Sequence, residues 1–571
     1  MKVTQYVAKT LREVGVDTVF GQIGGFNADL VDAMVAGKQQ NFVLNYHEQG
    51  AAFAANAYAM VHENLGVATS SGAPSSCNLV AGIANAFFDS IPCLFLVGSV
   101  HSKALRKSTK IRQNAFEELD MVSMVSGITK YAARVDDAKK IKYYMDKALY
   151  IAREGRKGPV VLDIPYDLAR SDIDVSELKG FVPHEDRQFD VIDIPELVRI
   201  FKNSKRPLIL LGGGARGATA RRGLRAFLDK VAIPAVASLC GLDALPHDHP
   251  CFVGFIGHYG NRYANFALAN CDALLILGSR LDERQIAGDK SKFAPNAKVI
   301  RVEIDPVEIG RNIPEHVSIY SSVENFWASS FAGECQGKGY EKWHQVIAEW
   351  KGRYPSHNMT LDGVNAHNFL HTISDYLPRN SIICADVGQN QMFAAQSLRL
   401  GPNHRFLNSA GYGSMGYSLP AAIGAAYAKP DATVISINGD GGLQMNLQEL
   451  QVVKRDSLPI KIVVLNNQCL GMIRRLQERI FDDRTTASVQ GYESADYRAI
   501  AAAYGLEYVC IDSPEQYHIV KACFHGPRSV LIEVMLPKNI MNNPEPGAAI
   551  DLQTPLLSQG ENERVKVECE F

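Results

Sequence analysis

Neither sign of charge dominates this chain. Its 59 lysines and arginines meet 61 aspartates and glutamates, so it has no basic field to draw a nucleic acid or an anionic membrane surface. Long hydrophobic runs are missing too. A stretch such as Ile91 to Val100 falls well short of the ~18 apolar residues that would span a bilayer. The eleven cysteines include no CxxC pair, and several, such as Cys93 and Cys384, sit in apolar strand-like runs. That pattern excludes a disulfide framework and predicts buried, reduced thiols in a cytoplasmic protein. Met1 to Val14 reads as an amphipathic helix with polar and acidic residues interspersed, not as a signal peptide. No short-period repeat is present. His47-Glu48 is no zinc site, because Ala51 stands where HExxH needs its second histidine.

What the chain does have is length and alternation. Its 571 residues predict three or four domains at ~150 residues each. Strand-like and helical stretches alternate throughout, the signature of parallel sheets covered by helices. Composition shifts at 171–195 (acidic, strand-poor) and 334–362 (polar, glycine-bearing) read as linkers. The expected division is therefore 1–180, 190–333 and 363–540, with a tail over 541–571. The first and third segments both alternate strand and helix around a glycine turn, as distant relatives would.

The strongest local signal lies between Ile437 and Asn467. An apolar run (Val434 to Ile437) feeds Asn438-Gly439-Asp440-Gly441-Gly442, and a helical stretch through Leu447 to Leu450 follows. A second apolar run (Ile462 to Leu465) then delivers Asn466-Asn467. Such a βαβ unit brings the turn and the asparagines together at the carboxyl edge of a parallel sheet. Amides of the turn and the helix N-terminus attract a diphosphate. Asp440 and Asn467 offer hard oxygen ligands for the Mg²⁺ it carries. With 24 residues between Gly441 and Asn466, the arrangement resembles the thiamin-diphosphate (ThDP) binding motif. In the first segment, a strand (Asn41 to Tyr46) ends in His47-Glu48-Gln49-Gly50 beside glycine turns at Gly21–Gly25 and Gly72. Glu48 is there either a helix N-terminal carboxylate or a ligand-facing acid, and the diphosphate motif favours the second.

Over nearly its whole length the chain resembles the ThDP-dependent acetohydroxyacid (acetolactate) synthase family. The matching segments include Gln22 to Gly25, His47 to Ala52, Val387 to Met392, Gly411 to Gly416, Leu419 to Gly424 and Asn466 to Met472. The resemblance implies three doubly wound α/β domains: pyrimidine-binding, central and diphosphate-binding. It implies that Glu48 contacts the aminopyrimidine ring of ThDP, so that the cofactor's own amine can take the thiazolium C2 proton. Met415 would hold the cofactor's bent shape with the Gly413 carbonyl near the 4′-amino group. Gly24, Gly25, Val387, Gly388, Gln389, Asn390, Gly439, Gly441, Gly442 and Met472 would line the ThDP site. Cys469 would join Asp440 and Asn467 at the metal, and Gln113, Phe116, Lys130 and Leu476 would border the substrate. Glu48 of one subunit would face the diphosphate domain of another, making a homodimer or homotetramer the competent unit.

In the central segment, Gly212-Gly213-Gly214-Ala215-Arg216-Gly217 is a formal GxGxxG. The next strand-like run (Ile233 to Ser238) ends without the acidic residue that grips a ribose, which argues against NAD. The segments around Gly257-His258, Gly278 to Arg284 and Glu303 to Gly310 instead resemble FAD-contacting segments of the family. By that resemblance Gly212, Gly213, Gly214, Gly257, His258, Gly278, Arg280, Arg284, Asp305 and Glu308 would hold FAD.

Several features leave the family pattern. Leu476 replaces the tryptophan that narrows the acceptor pocket, and Glu117 replaces a glutamine. A basic insertion carries Lys103, Arg106, Lys107, Lys110 and Arg112, which reads as a solvated face or as a phosphate-attracting rim. The segment from Asn542 through Ser558 resembles more the carboligases that branch nucleotide-linked 4-keto sugars, as in yersiniose synthesis. The expectation is therefore a carboligase that decarboxylates pyruvate and passes the two-carbon unit to a carbonyl acceptor, with a ketone first. Acetolactate synthase is the alternative, and a pyruvate oxidase a third reading.

Overall fold

The computed structural model describes residues 1–36, 40–108, 110–183, 188–335, 339–359 and 361–571. They build three six-stranded parallel sheets. The first holds β1 (Thr18–Gly21), β2 (Asn41–Leu44), β3 (Gly66–Ser70), β4 (Cys93–Ser99), β5 (Tyr131–Arg134) and β6 (Val160–Pro165), in the order β2-β1-β3-β4-β6-β5. The second holds β7 (Pro207–Leu211), β8 (Ala235–Ala237), β9 (Phe252–Phe255), β10 (Ala273–Leu277), β11 (Lys298–Glu303) and β12 (Val317–Tyr320), in the order β12-β11-β10-β7-β8-β9. The third holds β13 (Ser381–Ala385), β14 (Arg405–Asn408), β15 (Thr433–Gly439), β16 (Lys461–Asn466), β17 (Glu507–Ile511) and β18 (Val530–Met535), in the order β14-β13-β15-β16-β18-β17. Central strands such as β4, β7 and β16 are buried along their whole length. That is why they read as unbroken apolar runs rather than alternating ones.

The first and third sheets share one strand order, as distant relatives would, and they are locked together by a helix pair. Glu48–His62 is rich in alanine along its buried face, and Ser418–Ala428 lies against it. A Cβ on Gly424 would come 2.0 Å from the Ala54 carbonyl oxygen, so only glycine lets the backbones approach this closely. The middle sheet has the doubly wound order 3-2-1-4-5-6, whose switch point falls between β7 and β10.

The stretch 334–362 is more than a linker. It contains the helix Glu341–Arg353, with Trp343 and Trp350 fully buried. Trp343 Nε1 donates to Pro207 O at the start of β7 (3.1 Å), and Trp350 Nε1 donates to Glu568 Oε2 (2.7 Å). The i, i+7 tryptophan spacing carried that helix in the sequence, and the polar residues around it masked it. Residues 336–338 of that stretch, and 184–187 of the acidic one, lie outside the described residues. The tail is also packed. Gln553 Nε2 donates to Gly260 O (2.8 Å), Arg262 Nη2 to Pro555 O (2.6 Å), and Arg353 pairs with Glu568 (2.8 Å). All eleven cysteines are unpaired. Among the described residues no helix is long and apolar enough to cross a membrane.

Candidate active site

At the end of β15 the chain turns through Gly439 into the short helix Asp440–Gln444. Asp440 is buried, and that burial pushes its carboxyl up to about 6 against hydrogen bonds that favour the charge. Its Oδ2 accepts from Tyr492 Oη (2.8 Å). The adjacent strand β16 delivers Asn466 and Asn467 to the same edge. Asn466 turns away, donating to Glu533 (2.7 Å). The amide head of Asn467 turns inward, 3.3 Å from Asp440 Oδ1 and 2.8 Å from the Cys469 carbonyl oxygen. In one amide orientation its NH₂ donates to both oxygens. In the other, its oxygen joins Asp440 Oδ1 and the Cys469 carbonyl oxygen, an arrangement that a bound cation would favour. A carboxylate, an amide oxygen and a backbone carbonyl are the donor set a hard divalent ion such as Mg²⁺ takes, so these residues fit the metal. Cys469 would serve through its backbone and not its thiol.

The surrounding loops converge on this point. A Cβ on Gly441 would lie 2.7 Å from Leu470 Cδ2 and 3.7 Å from Met415 Cε, and one on Gly442 would lie 2.0 Å from Asp386 Oδ2. Asp386 is wholly buried and accepts from Val387 N (2.9 Å), Gly416 N (3.2 Å) and Tyr417 N (3.0 Å). It therefore pins the Val387–Asn390 turn and the Gly413–Met415 loop beside the glycine turn. Asn390 Nδ2 donates to Asp386 O (2.6 Å), and Gln389 Oε1 accepts from Asn467 Nδ2 (3.1 Å). Gly388 sits at φ 147°, and Gly413 at φ 74° with open space where a side chain would be. Met472 opens the next helix, Gly471–Ile480.

Glu48 begins its helix on the first domain and is buried. Its two oxygens accept from Ser75 Oγ (2.6 Å) and Asn78 Nδ2 (2.9 Å), both in its own domain. The third domain reaches this helix start through Glu449, which accepts from Asn45 Nδ2 (2.8 Å), Tyr46 N (3.0 Å) and His47 N (3.0 Å). Burial pushes the Glu449 carboxyl up to about 7. A Cβ on Gly50 would strike it at 2.6 Å. Gly24 packs on Ser71, while Gly25 opens onto free space.

At the switch point of the middle sheet lies a cleft of about 410 Å³. Gly213, Gly214, His258, Gly278, Arg280 and Arg284 line it. Gly212 and Gly257 stand directly behind: a Cβ on Gly212 would meet Gly278 O at 2.2 Å, and one on Gly257 would meet Arg284 O at 2.7 Å. His258 Nε2, Ser238 Oγ and Asn408 Oδ1 are buried along this wall without a hydrogen-bond partner among the described residues. Buried polar atoms seldom stay unpaired, so the wall suits a polar ligand such as a flavin dinucleotide. Asp305 and Glu308 are not part of that lining. Both are held by Arg156 (3.2 and 3.1 Å), and Glu303 and Ile304 face the cleft in their place.

The remaining expected residues are less gathered. Phe116 is 83% exposed and Leu476 47% exposed, and Gln113 is also exposed. Lys130 is not among the residues that line the middle-sheet cleft. Its ammonium donates to the Ile151 and Glu154 carbonyls and so terminates the helix Ile141–Arg153. In the basic insertion, Arg106 is a staple, donating to Ile111 O (3.2 Å) and Arg112 O (3.1 Å). Lys103, Lys107, Lys110 and Arg112 are exposed.

Three family models match in order: "Thiamine pyrophosphate enzyme, N-terminal TPP binding domain" over 1–124, "central domain" over 194–329 and "C-terminal TPP binding domain" over 386–534. The chain is 35% identical to the acetolactate synthase isozyme 2 large subunit of Escherichia coli K12, covering 89% of this chain and 90% of that protein. It is 33% identical to the acetolactate synthase large subunit of Lactococcus lactis (94% and 92% covered). A probable acetolactate synthase large subunit of Methanocaldococcus jannaschii is 34% identical (90% and 88%). The chain belongs to the ThDP-dependent acetolactate synthase family.

Within this acetolactate synthase-type fold, sequence reasoning missed Asp386, Glu449 and Tyr492. Asp386 had a signal: a carboxylate at the end of an apolar strand, directly before Val387-Gly388. Glu449 had none, since its partners lie some 400 residues away.

Proposed function

We propose that this chain is an acetolactate synthase, joining the two-carbon unit of pyruvate to a second 2-keto acid. What carries the reading is the oxygen cluster of Asp440, Asn467 and the Cys469 carbonyl at the ThDP turn, in a chain whose relatives bear that name over most of their length. The reading divides the chain at 1–180, 190–333, 363–540 and 541–571. ThDP, when bound, supplies the carbon nucleophile and the sink for the electrons that CO₂ leaves behind.

The chain's own residues do the rest. Asp440, Asn467 and the Cys469 carbonyl hold Mg²⁺, and amides of the Gly439–Gly442 turn receive the diphosphate. Met415 beside Gly441 would support the bound cofactor from below, with the Gly413 carbonyl facing its amine, as the resemblance implies. Ser75 and Asn78 fix the Glu48 carboxyl so that it exchanges a proton with the aminopyrimidine ring nitrogen. The resemblance to the family implies that the ring Glu48 serves is supplied by a second copy of the chain, which would make the enzyme a homo-oligomer. The middle cleft takes FAD. The exposed side chains Gln113, Phe116 and Leu476 border the acceptor once the copies meet, with Arg284 on the rim. A cytoplasmic setting fits the unpaired cysteines.

A ketone acceptor is the second reading, because Leu476 offers no aromatic wall. Pyruvate should be supplied with ThDP and Mg²⁺, alone and beside 2-ketobutyrate, simple ketones and nucleotide 4-keto sugars. Acetolactate as the main product supports the proposal. Ketone adducts without acetolactate would overturn it in favour of the second reading.

A further inference from the structure

We propose that Asp89 is a positioning residue that ties the middle-domain cleft to the 409–415 loop, so that a nucleotide in the cleft strengthens ThDP binding. The proposal rests on the cofactor reading above and goes beyond it. Asp89 caps the helix Val80–Phe88 of the first domain. Its Oδ1 accepts from Gly411 N (2.7 Å) and its Oδ2 from Ala410 N (3.1 Å). One turn earlier, Asn85 Oδ1 accepts from Ser409 Oγ (2.6 Å), and that hydroxyl oxygen in turn accepts from Gly413 N and Ser414 N (3.0 Å each). The Phe88 ring lies parallel to Tyr412, 4° apart with centroids at 5.9 Å. One helix end thus holds Ser409 to Tyr412 directly, and Gly413 and Ser414 through the Ser409 hydroxyl, in the loop that ends in Met415 beside Gly441.

The same helix end forms part of the cleft. Phe88, Asp89, Ala410 and Arg280 all line it. Arg280, from the middle domain, donates to Phe88 O (3.2 Å), and its Nη2 stands 2.7 Å from where a Gly411 Cβ would be. All three domains therefore meet at Asp89. Half-buried in the cleft wall, its carboxyl is pushed up to about 6 by partial loss of solvent, against the Gly411 and Ala410 amides and the Arg280 and Arg216 charges. A ligand filling the cleft fixes Arg280 and Asp89, and with them the loop amides. A loop already ordered loses less entropy when ThDP binds. Such coupling is reciprocal between the two ligands.

The test measures ThDP affinity, with Mg²⁺ present, in flavin-free and FAD-loaded full-length protein. The wild type should bind ThDP at least about fivefold more tightly when FAD is present. Asp89→Asn keeps the shape and one acceptor oxygen, and should still bind FAD while that ratio falls toward one. An unchanged ratio in Asp89→Asn overturns the proposal, as does a wild-type ratio of one. If Asp89→Asn fails to fold, hydrogen exchange in the wild type decides. FAD alone should slow the Ala410 and Gly411 amides, and no change there overturns the coupling. A wild type that binds no FAD sinks the cofactor reading and this proposal together, and is told apart by the missing flavin itself.

Discussion

In the proposed reading Glu48 and Asp440 carry the chemistry, and each can be tested singly. Glu48→Gln keeps both hydrogen bonds' geometry but cannot give a proton to the aminopyrimidine. ThDP affinity should hold, and exchange of the cofactor C2 proton, followed by NMR, should slow by about 10²–10⁴-fold. Wild-type exchange would remove Glu48 from that role. Asp440→Ala takes one oxygen from the cluster with Asn467 and the Cys469 carbonyl. ThDP and Mg²⁺ affinity, measured by calorimetry, should collapse together; if turnover drops at unchanged affinity, the metal assignment is wrong. The motif spacing already singles out Gly441 and Gly442, and the structure adds what they face: Leu470 and Asp386, side chains from separate loops.

At the scale of elements, the helix pair Glu48–His62 and Ser418–Ala428 sets how the outer domains meet. Gly424→Ala gains about 1 kcal/mol of helix propensity. The added Cβ, however, would sit 2.0 Å from Ala54 O, and forcing the helices apart costs about 1–3 kcal/mol. The clash wins, so thermal unfolding should show net destabilisation. Glu449, reaching from the third domain to the start of the Glu48 helix, makes this junction pH-sensitive. Its folded carboxyl is raised from the usual value to about 7, so the folded chain keeps a proton the unfolded chain has released. Its contribution is full below about 4.5 and is lost as pH rises toward 7. Glu449→Gln removes the titration, and Asn45 Oδ1, which has no partner, can turn to accept the new amide. Denaturant unfolding from pH 5 to 8 should show the variant gaining on the wild type as pH rises; parallel curves would contradict this.

At the scale of the whole molecule, the question is assembly. Phe116, Met445, Ile473, Leu476, Ile480 and Tyr412 are exposed in the single chain, and the shared-site reading has a second copy cover part of that surface. Sedimentation at assay concentration should give a dimer or larger, and activity should fall on dilution below the dissociation constant of the assembly. A fully active monomer would defeat the shared-site reading. In the assembled enzyme, Leu476→Trp should narrow the acceptor pocket. The preference for bulky acceptors over pyruvate should drop while pyruvate decarboxylation persists.

The three sheets, the glycine turn and the family were legible in the residues alone, because those rest on local patterns: apolar runs, glycine turns and an asparagine pair at fixed spacing. The tryptophan helix at 341–353 escaped, since its polar neighbours hid the apolar spacing. What depends on distant partners became visible in the folded chain. Folding gave Lys130 to a helix end and Asp305 to Arg156, and it brought Asp386, Glu449 and Asp89 to the junctions between domains. A buried carboxylate is defined by the amides that happen to face it, and those come from loops far away in the chain.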